Sequence, residues 1–349
     1  MSTHTTSILT DSQFQSFLDC GLIIQIPELS LFYIGIGEAD LDLDNYFFTQ
    51  NFFGNKCEKS TPKEILVVEK SHLLDLVLRN LKEKCIISEV SNDDDLYQSD
   101  TEQVLSLLND DSSFSKFVTI SKADFKWNKV HPLSQLKNLL ELNGSLYGRW
   151  NDKCGHLGVS PEPLIVKKDK YWKTRSLAGT ISMNKEGYEE TLMSDSKEIF
   201  EHQLVVKDIK EKLDMLNFKT DVKELRTIPF GDIAHLCTDI NWQTDDDNFL
   251  DVVKAVSPTA ALGAYPSSAL HHLKELQYYE NHKDERVFGG VFGLVTGNKG
   301  MSLVIIRNIF WDQNFVQVHS GTGIVKDSIV ENELDEVLIK RRSVVSCFQ

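Results

Sequence analysis

The sequence predicts an α+β protein built on antiparallel sheet. Strand-length apolar segments follow one another across short polar turns, and helical periodicity is confined to a few separate stretches. A strict strand and helix alternation, which marks a doubly wound parallel sheet, does not run through the chain.

In the first hundred or so residues, short apolar runs at 21–27, 31–37 and 65–68 alternate with polar loops and carry no motif tied to chemistry. Residues 91–111 are acidic, with Asp93, Asp94 and Asp95 in a row, and read as a solvated loop or an exposed helix. Residues 155–166 and 171–180 read as an antiparallel hairpin turning through Lys167-Lys168-Asp169-Lys170. Residues 287–296, 302–310 and 315–320 read as a meander, with turns at 297–300 and 312–314. Between these groups, residues 194–216 place Ile199, Leu204, Val205, Ile209, Leu213 and Leu216 near helical spacing. Residues 328–345 do the same with Ile329, Leu334, Val337, Leu338 and Val344.

Composition bounds the function. With 41% hydrophobic and 9% aromatic residues in 349, the chain can bury a large core without a disulfide or structural metal. Length alone suggests about two domains, although one large sheet-based domain is also allowed. Fifty-two acidic against 37 basic side chains give −15, which argues against non-specific binding to nucleic acid or anionic lipid. No apolar run approaches the roughly 18 residues of a spanning helix, and residues 1–12 have neither a basic end nor an apolar signal core. A cytoplasmic protein is therefore expected. Six widely spaced cysteines without a CxxC pair suggest buried reduced thiols.

Carboxylates supply the first chemical signal. Glu198 and Glu201 share one face of the first helix, and Glu333, Glu336 and Lys340 share one face of the last. Brought together, four carboxylates would form an oxygen-rich site suited to Mg²⁺; kept apart, they are ordinary solvent-facing pairs. Gly321-Thr322-Gly323 could present backbone amides to an anion or simply turn. Arg307, inside the apolar segment 303–310, could clamp a carboxylate or face solvent.

In their order along the chain, these features resemble the chorismate-utilising enzymes: the isochorismate, anthranilate, salicylate and aminodeoxychorismate synthases. The resemblance is carried by Phe114-Ser115-Lys116-Phe117-Val118, Ser160-Pro161-Glu162, Leu177-Ala178-Gly179-Thr180 and Ser196-Lys197-Glu198-Ile199-Phe200-Glu201-His202. It continues through His235-Leu236, 258–263, Phe288-Gly289-Gly290, Ile306-Arg307, 321–325, and Glu333, Glu336 and Lys340. It covers about residues 114–342, whereas 1–113 rest on extension alone.

The resemblance implies one large chorismate-binding domain over residues 1–349, with two stacked antiparallel sheets flanked by helices. It assigns Lys116 as the base acting on water, Glu162 as the acid protonating the departing 4-hydroxyl, and His235 as a catalytic-site neighbour of the reacting ring. A lysine base requires a lowered pKa, from burial or a neighbouring cation. The resemblance further implies that Gly179, Thr180, Ala261, Leu262, Arg307, Gly321, Gly323 and Lys340 contact substrate. Mg²⁺ would be held by Glu198, Glu201, Glu333 and Glu336, with Glu201 and Glu336 as direct ligands. Four departures stand out: Arg175 before the Leu-Ala-Gly-Thr motif, Ser257 for a usual histidine, Phe288 for a frequent tyrosine, and the order Glu285-Arg286.

Among the family's reactions, Ala178 stands where aminodeoxychorismate-forming members carry a lysine, and anthranilate-forming members typically lack the lysine found here at 116. Ala261 stands where salicylate synthases tend to have threonine. Isochorismate synthase is therefore the expected activity, in a monomer without an amidotransferase subunit. Salicylate synthase and a non-catalytic chorismate-binding protein remain as alternatives, and the choice between a menaquinone and a siderophore pathway is left open.

Overall fold

The computed structural model describes residues 5–40, 42, 44–184, 186–245, 248–282 and 286–349. Their strands form two antiparallel sheets. The ten-stranded sheet runs Ala264–Tyr265, Lys116–Trp127, Val316–Ile324, Asn308–Trp311, Gly155–Ser160, Ser145–Trp150, Gly21–Gln25, Leu31–Ile36 and Glu64–Glu69, with Ile87–Asn92 also on Lys116–Trp127. The nine-stranded sheet runs Asp221–Val222, Ile233–Gln243, Tyr171–Ser182, Pro163–Lys168, Lys299–Val304, Val291–Thr296, Asn45–Gln50 and Cys57–Ser60, with Arg226–Phe230 also on Ile233–Gln243.

The period-two alternation of strands distributes the core. Leu22, Ile24 and Tyr33 point to a layer shared with Phe47, Phe292, Leu294 and Leu303 of the other sheet. Their neighbours Ile23, Phe32 and Ile34 point outward to the helices Asp11–Asp19 and Lys70–Asn80, against Phe14, Phe17, Leu73 and Leu76. On the nine-stranded sheet, Trp172, Ile240 and Trp242 pack with Val205, Ile209 and Leu213 of the helix Ser196–Met215. The first hundred residues, without motifs of their own, thus complete both sheets: Gly21–Gln25 pairs with Ser145–Trp150, and Asn45–Gln50 with Val291–Thr296.

Two expected strands are each two strands. Residues 155–166 divide at Pro161-Glu162, where the chain leaves the ten-stranded sheet for the nine-stranded one. Pro161 and Pro163 lack the N–H a continuous ladder needs, so the strand stops between them. Only Pro163–Lys168 forms the expected hairpin with Tyr171–Ser182, pairing Val166 with Lys173. Residues 302–310 divide in the same way: Lys299–Val304 lies in one sheet and Asn308–Trp311 in the other. Arg307, read above as mid-strand, sits at this crossover with a left-handed φ of 54°. The two crossovers lie side by side, with Val304 N–H donating to Glu162 O (3.1 Å) and Val159 N–H to Arg307 O (3.2 Å). Strands that switch sheets make corners, and this corner carries both Glu162 and Arg307.

The acidic stretch is also more than a solvated segment. It forms the helix Asp94–Asp110, which buries Tyr97, Val104 and Leu108. Asp100 accepts the backbone N–H groups of Gln277 (2.9 Å) and Tyr278 (3.0 Å), and Asp94 pairs with the buried Arg341 (3.1 Å). All six cysteines are free. Among the described residues no helix is long and apolar enough to cross a membrane.

Candidate active site

A cavity opens at the double crossover. Its walls include Glu162, Gly179, Thr180, Glu201, His235, Ala261, Leu262, Arg307, Gly321, Gly323, Glu336 and Lys340. Residues spread over 179 positions of sequence therefore meet in one place, whereas Lys116, Glu198 and Glu333 stand behind the wall.

The strand Tyr171–Ser182 enters the site through a bulge between Ala178 and Thr180. Gly179 takes φ +78° there, and a Cβ would lie only 3.1 Å from Leu236 and 3.2 Å from the Glu198 carbonyl oxygen. The left-handed φ favours glycine, and a Cβ would also need Leu236 and the Glu198 carbonyl to give by a few tenths of an ångström. The bulge turns Thr180 N–H toward Glu198 Oε2 (2.8 Å) and sets Thr180 Oγ1 3.1 Å from His235 Nδ1. Arg307 Nη2 lies 3.3 Å from His235 Nε2, and a guanidinium only donates, so Nε2 accepts and the ring proton sits on Nδ1. Burial, reinforced by Arg307 and Lys340, lowers the His235 pKa to about 3. The imidazole is thus neutral, with both nitrogens engaged, and it orients Thr180 and Arg307. Arg307 is anchored in turn by Ser343 Oγ (2.8 Å).

Glu162 is a buried carboxyl on the cavity wall. It is 2% exposed, and its Oε1 has no hydrogen-bond partner among the described residues. Burial raises its pKa to about 8, with Lys116 pulling weakly the other way, so the carboxyl holds its proton at neutral pH. Lys116 is completely buried, with Nζ 2.9 Å from Glu201 Oε1 but not aligned for a hydrogen bond. The route from the cavity to Lys116 crosses Gly323, where a Cβ would collide with Glu201 Oε1 and lie 2.5 Å from Lys116 Cε. Any side chain at 323 would close it.

The two helices Ser196–Met215 and Val330–Val345 bring the four glutamates together. Asp195 caps the first, accepting from Lys197 N–H and Glu198 N–H. Burial and then the neighbouring Glu201 raise the Glu198 pKa to about 7; burial and then Glu336 raise that of Glu333. Burial acts upward on Glu336 too, but Lys340 and Lys197 outweigh it and hold the carboxylate below its ordinary range. Lysine ammonium groups stand between these carboxylates: Lys197 with Glu333 (2.7 Å) and Glu198 (3.1 Å), Lys340 with Glu336 (2.6 Å), Lys116 with Glu201. Among the described residues no three metal-binding side chains converge on one point in this arrangement. In kind, however, mutually repelling oxygen donors on two helices suit a hard divalent cation, which would take over the counter-charge that the lysines now supply.

A family model described as "Chorismate binding enzyme" matches residues 43–349. The chain belongs to this family. It is 30% identical over 206 residues to the isochorismate synthase MenF of Haemophilus influenzae, covering 57% of this chain and 47% of the relative. It is 26% identical over 247 residues to anthranilate synthase component 1 of Aquifex aeolicus, covering 66% and 49%. The chain thus spans about half the length of these curated relatives. The fold matches that of MenF from Escherichia coli with a TM-score of 0.81 at 18% identity, over 100% of this chain and 92% of the other.

In this member of the family, the departures noted in the sequence fall in different places. Arg175 is not on the cavity wall; it pairs with Asp239 (2.8 Å) and Glu28 (3.2 Å), tying the strand Tyr171–Ser182 to the first hairpin. Its role there is to join two strands rather than to face the cavity. Ser257 ends the helix Phe249–Val256. Phe288 does line the cavity. Glu285 lies outside the described residues, while Arg286 is buried against Phe52, its guanidinium 3.6 Å from the ring centroid. Sequence reasoning missed Lys197 as the ammonium between Glu198 and Glu333, although it stands inside the motif. It also missed His319, on the cavity wall two residues before Gly321. The period of two along that strand was the available signal.

Proposed function

We propose that this chain is a Mg²⁺-dependent isochorismate synthase, adding water at C2 of chorismate as the 4-hydroxyl departs, with residues 1–349 acting as one chorismate-binding unit. The observation that carries the reading is Glu162: a buried carboxyl, protonated at neutral pH, on the wall of a cavity that Lys116 approaches from behind Gly323. The reaction needs one group to give a proton and another to take one. Glu162 gives its proton to the leaving 4-hydroxyl, which departs as water. Lys116 takes a proton from the incoming water across the gap at Gly323. Thr180, Arg307 and Lys340 orient the dianion, and Ala261 and Leu262 wall the ring.

Glu201 and Glu336 are the residues proposed to hold Mg²⁺, with Glu198 and Glu333 ordering its waters. The ion would neutralise the substrate's ring carboxylate. On this reading EDTA abolishes activity reversibly, Glu201→Gln sharply raises the Mg²⁺ requirement, and Mn²⁺ but not Zn²⁺ partly substitutes. Full activity in chelator would remove the metal from the mechanism.

The product is tested by incubating chorismate with the protein and Mg²⁺, following isochorismate, salicylate and pyruvate together. Isochorismate without pyruvate is the expected result, with no need for ammonia or an amidotransferase. Stoichiometric pyruvate and salicylate would make the protein a salicylate synthase, and no conversion would favour a non-catalytic binder. Ala261 offers no polar group to hold the enolpyruvyl side chain over C2. Ala261→Thr adds a hydroxyl worth about 1 kcal/mol in one hydrogen bond, so pyruvate release should rise several-fold without a complete switch.

A further inference from the structure

In the strand Val316–Ile324, Gly323, Gly321 and His319 share one face, because side chains alternate along a strand. Gly323 abuts Glu201. Four residues of rise place His319 about 13 Å further along, at the far end of the same cavity wall. The two glycines clear the floor, and the imidazole closes it. The surrounding wall is apolar at Phe288, Ile306 and Leu262.

The ring is fixed in place. It stacks on Phe288 (centroids 5.3 Å apart, 24° between planes), and its Nδ1 lies 2.8 Å from Tyr278 Oη. Behind Tyr278 stands Arg286, 4% exposed, which donates to the Tyr279 hydroxyl (3.0 Å) and lies 5.8 Å from the Tyr278 ring centroid. With the Tyr278 hydroxyl assigned as the donor of this pair, its single hydrogen is directed at His319 Nδ1. Burial raises the Tyr278 pKa, which keeps that hydrogen in place. The His319 proton then sits on Nε2.

We propose that His319 is a substrate-contacting specificity residue, its Nε2–H donating to the carboxylate of the enolpyruvyl side chain at the end of the cavity opposite Glu201. The inference rests on chorismate being the substrate. It also explains how the site manages with Phe288, which has no hydroxyl to offer that carboxylate.

The test is equilibrium titration with chorismate and with 4-hydroxybenzoate, which carries a ring carboxylate but no side chain, in the Glu162→Gln background, so that conversion stays slow against the measurement. His319→Phe keeps the stacking and removes the donor. Chorismate affinity should fall about ten- to a hundredfold, as for a lost hydrogen bond to a charged group, while 4-hydroxybenzoate affinity holds. His319→Gln should recover part of the loss, and in the active enzyme His319→Phe should raise KM more than it lowers kcat. Unchanged chorismate affinity in His319→Phe, or equal loss for both ligands, would overturn the assignment. Failure of the His319-intact protein to bind chorismate would instead overturn the proposed function on which it rests.

Discussion

Glu162→Gln should lower chorismate turnover by about 10² to 10⁴-fold while leaving the fold intact, because the amide keeps the shape of the carboxyl and loses its transferable proton. The wild type should show an alkaline limb in its rate, falling as pH rises through the Glu162 pKa of about 8. The variant should lack that limb. Stability supplies an independent check. A carboxyl whose folded pKa lies above its ordinary 4.5 contributes stability fully below 4.5, and that contribution is lost as pH rises through about 8. The wild type should therefore lose melting temperature across this window more steeply than Glu162→Gln, which stays neutral throughout. Wild-type turnover in the variant, or identical pH profiles of stability, would refute the assignment.

Lys116→Ala should cost a similar 10² to 10⁴-fold in turnover, since no base would then take the proton from water. Lys116 is also the buried partner of Glu201, and removing one member of a buried ion pair destabilises by about 3–5 kcal/mol. The alanine variant alone would confound the two roles. Lys116→Arg separates them, because a guanidinium retains the positive charge beside Glu201 but does not deprotonate in a protein. Melting temperature close to wild type with turnover still depressed is the expected result for Lys116→Arg. Recovery of turnover in the arginine variant would reduce Lys116 to a counter-charge for Glu201.

Local signals were enough for the elements whose physics is local. The helices Ser196–Met215 and Val330–Val345 announced themselves by periodicity, and the same periodicity put Glu198 with Glu201 and Glu333 with Glu336. Turn residues marked the hairpins at 167–170 and 297–300. The residue types around the cavity followed from motifs that resemble those of chorismate-utilising enzymes, now matched over residues 43–349.

What the linear pattern could not show is where the chain changes sheet. Gly155–Ser160 and Pro163–Lys168 are buried almost without interruption, as are Lys299–Val304 and Asn308–Trp311, because both sheets are covered on both faces. Apolar character therefore runs straight through Glu162 and Arg307, and each pair of strands reads as one. Only the packing of one sheet on the other sets these two crossovers side by side, buries Glu162 deeply enough to keep its proton, and slots Lys116, Lys197 and Lys340 among the four carboxylates. Residue identity thus determined which acids, bases and cations the protein possesses. Their protonation and partners were decided by tertiary burial, since desolvation and charge pairing depend on neighbours distant in sequence.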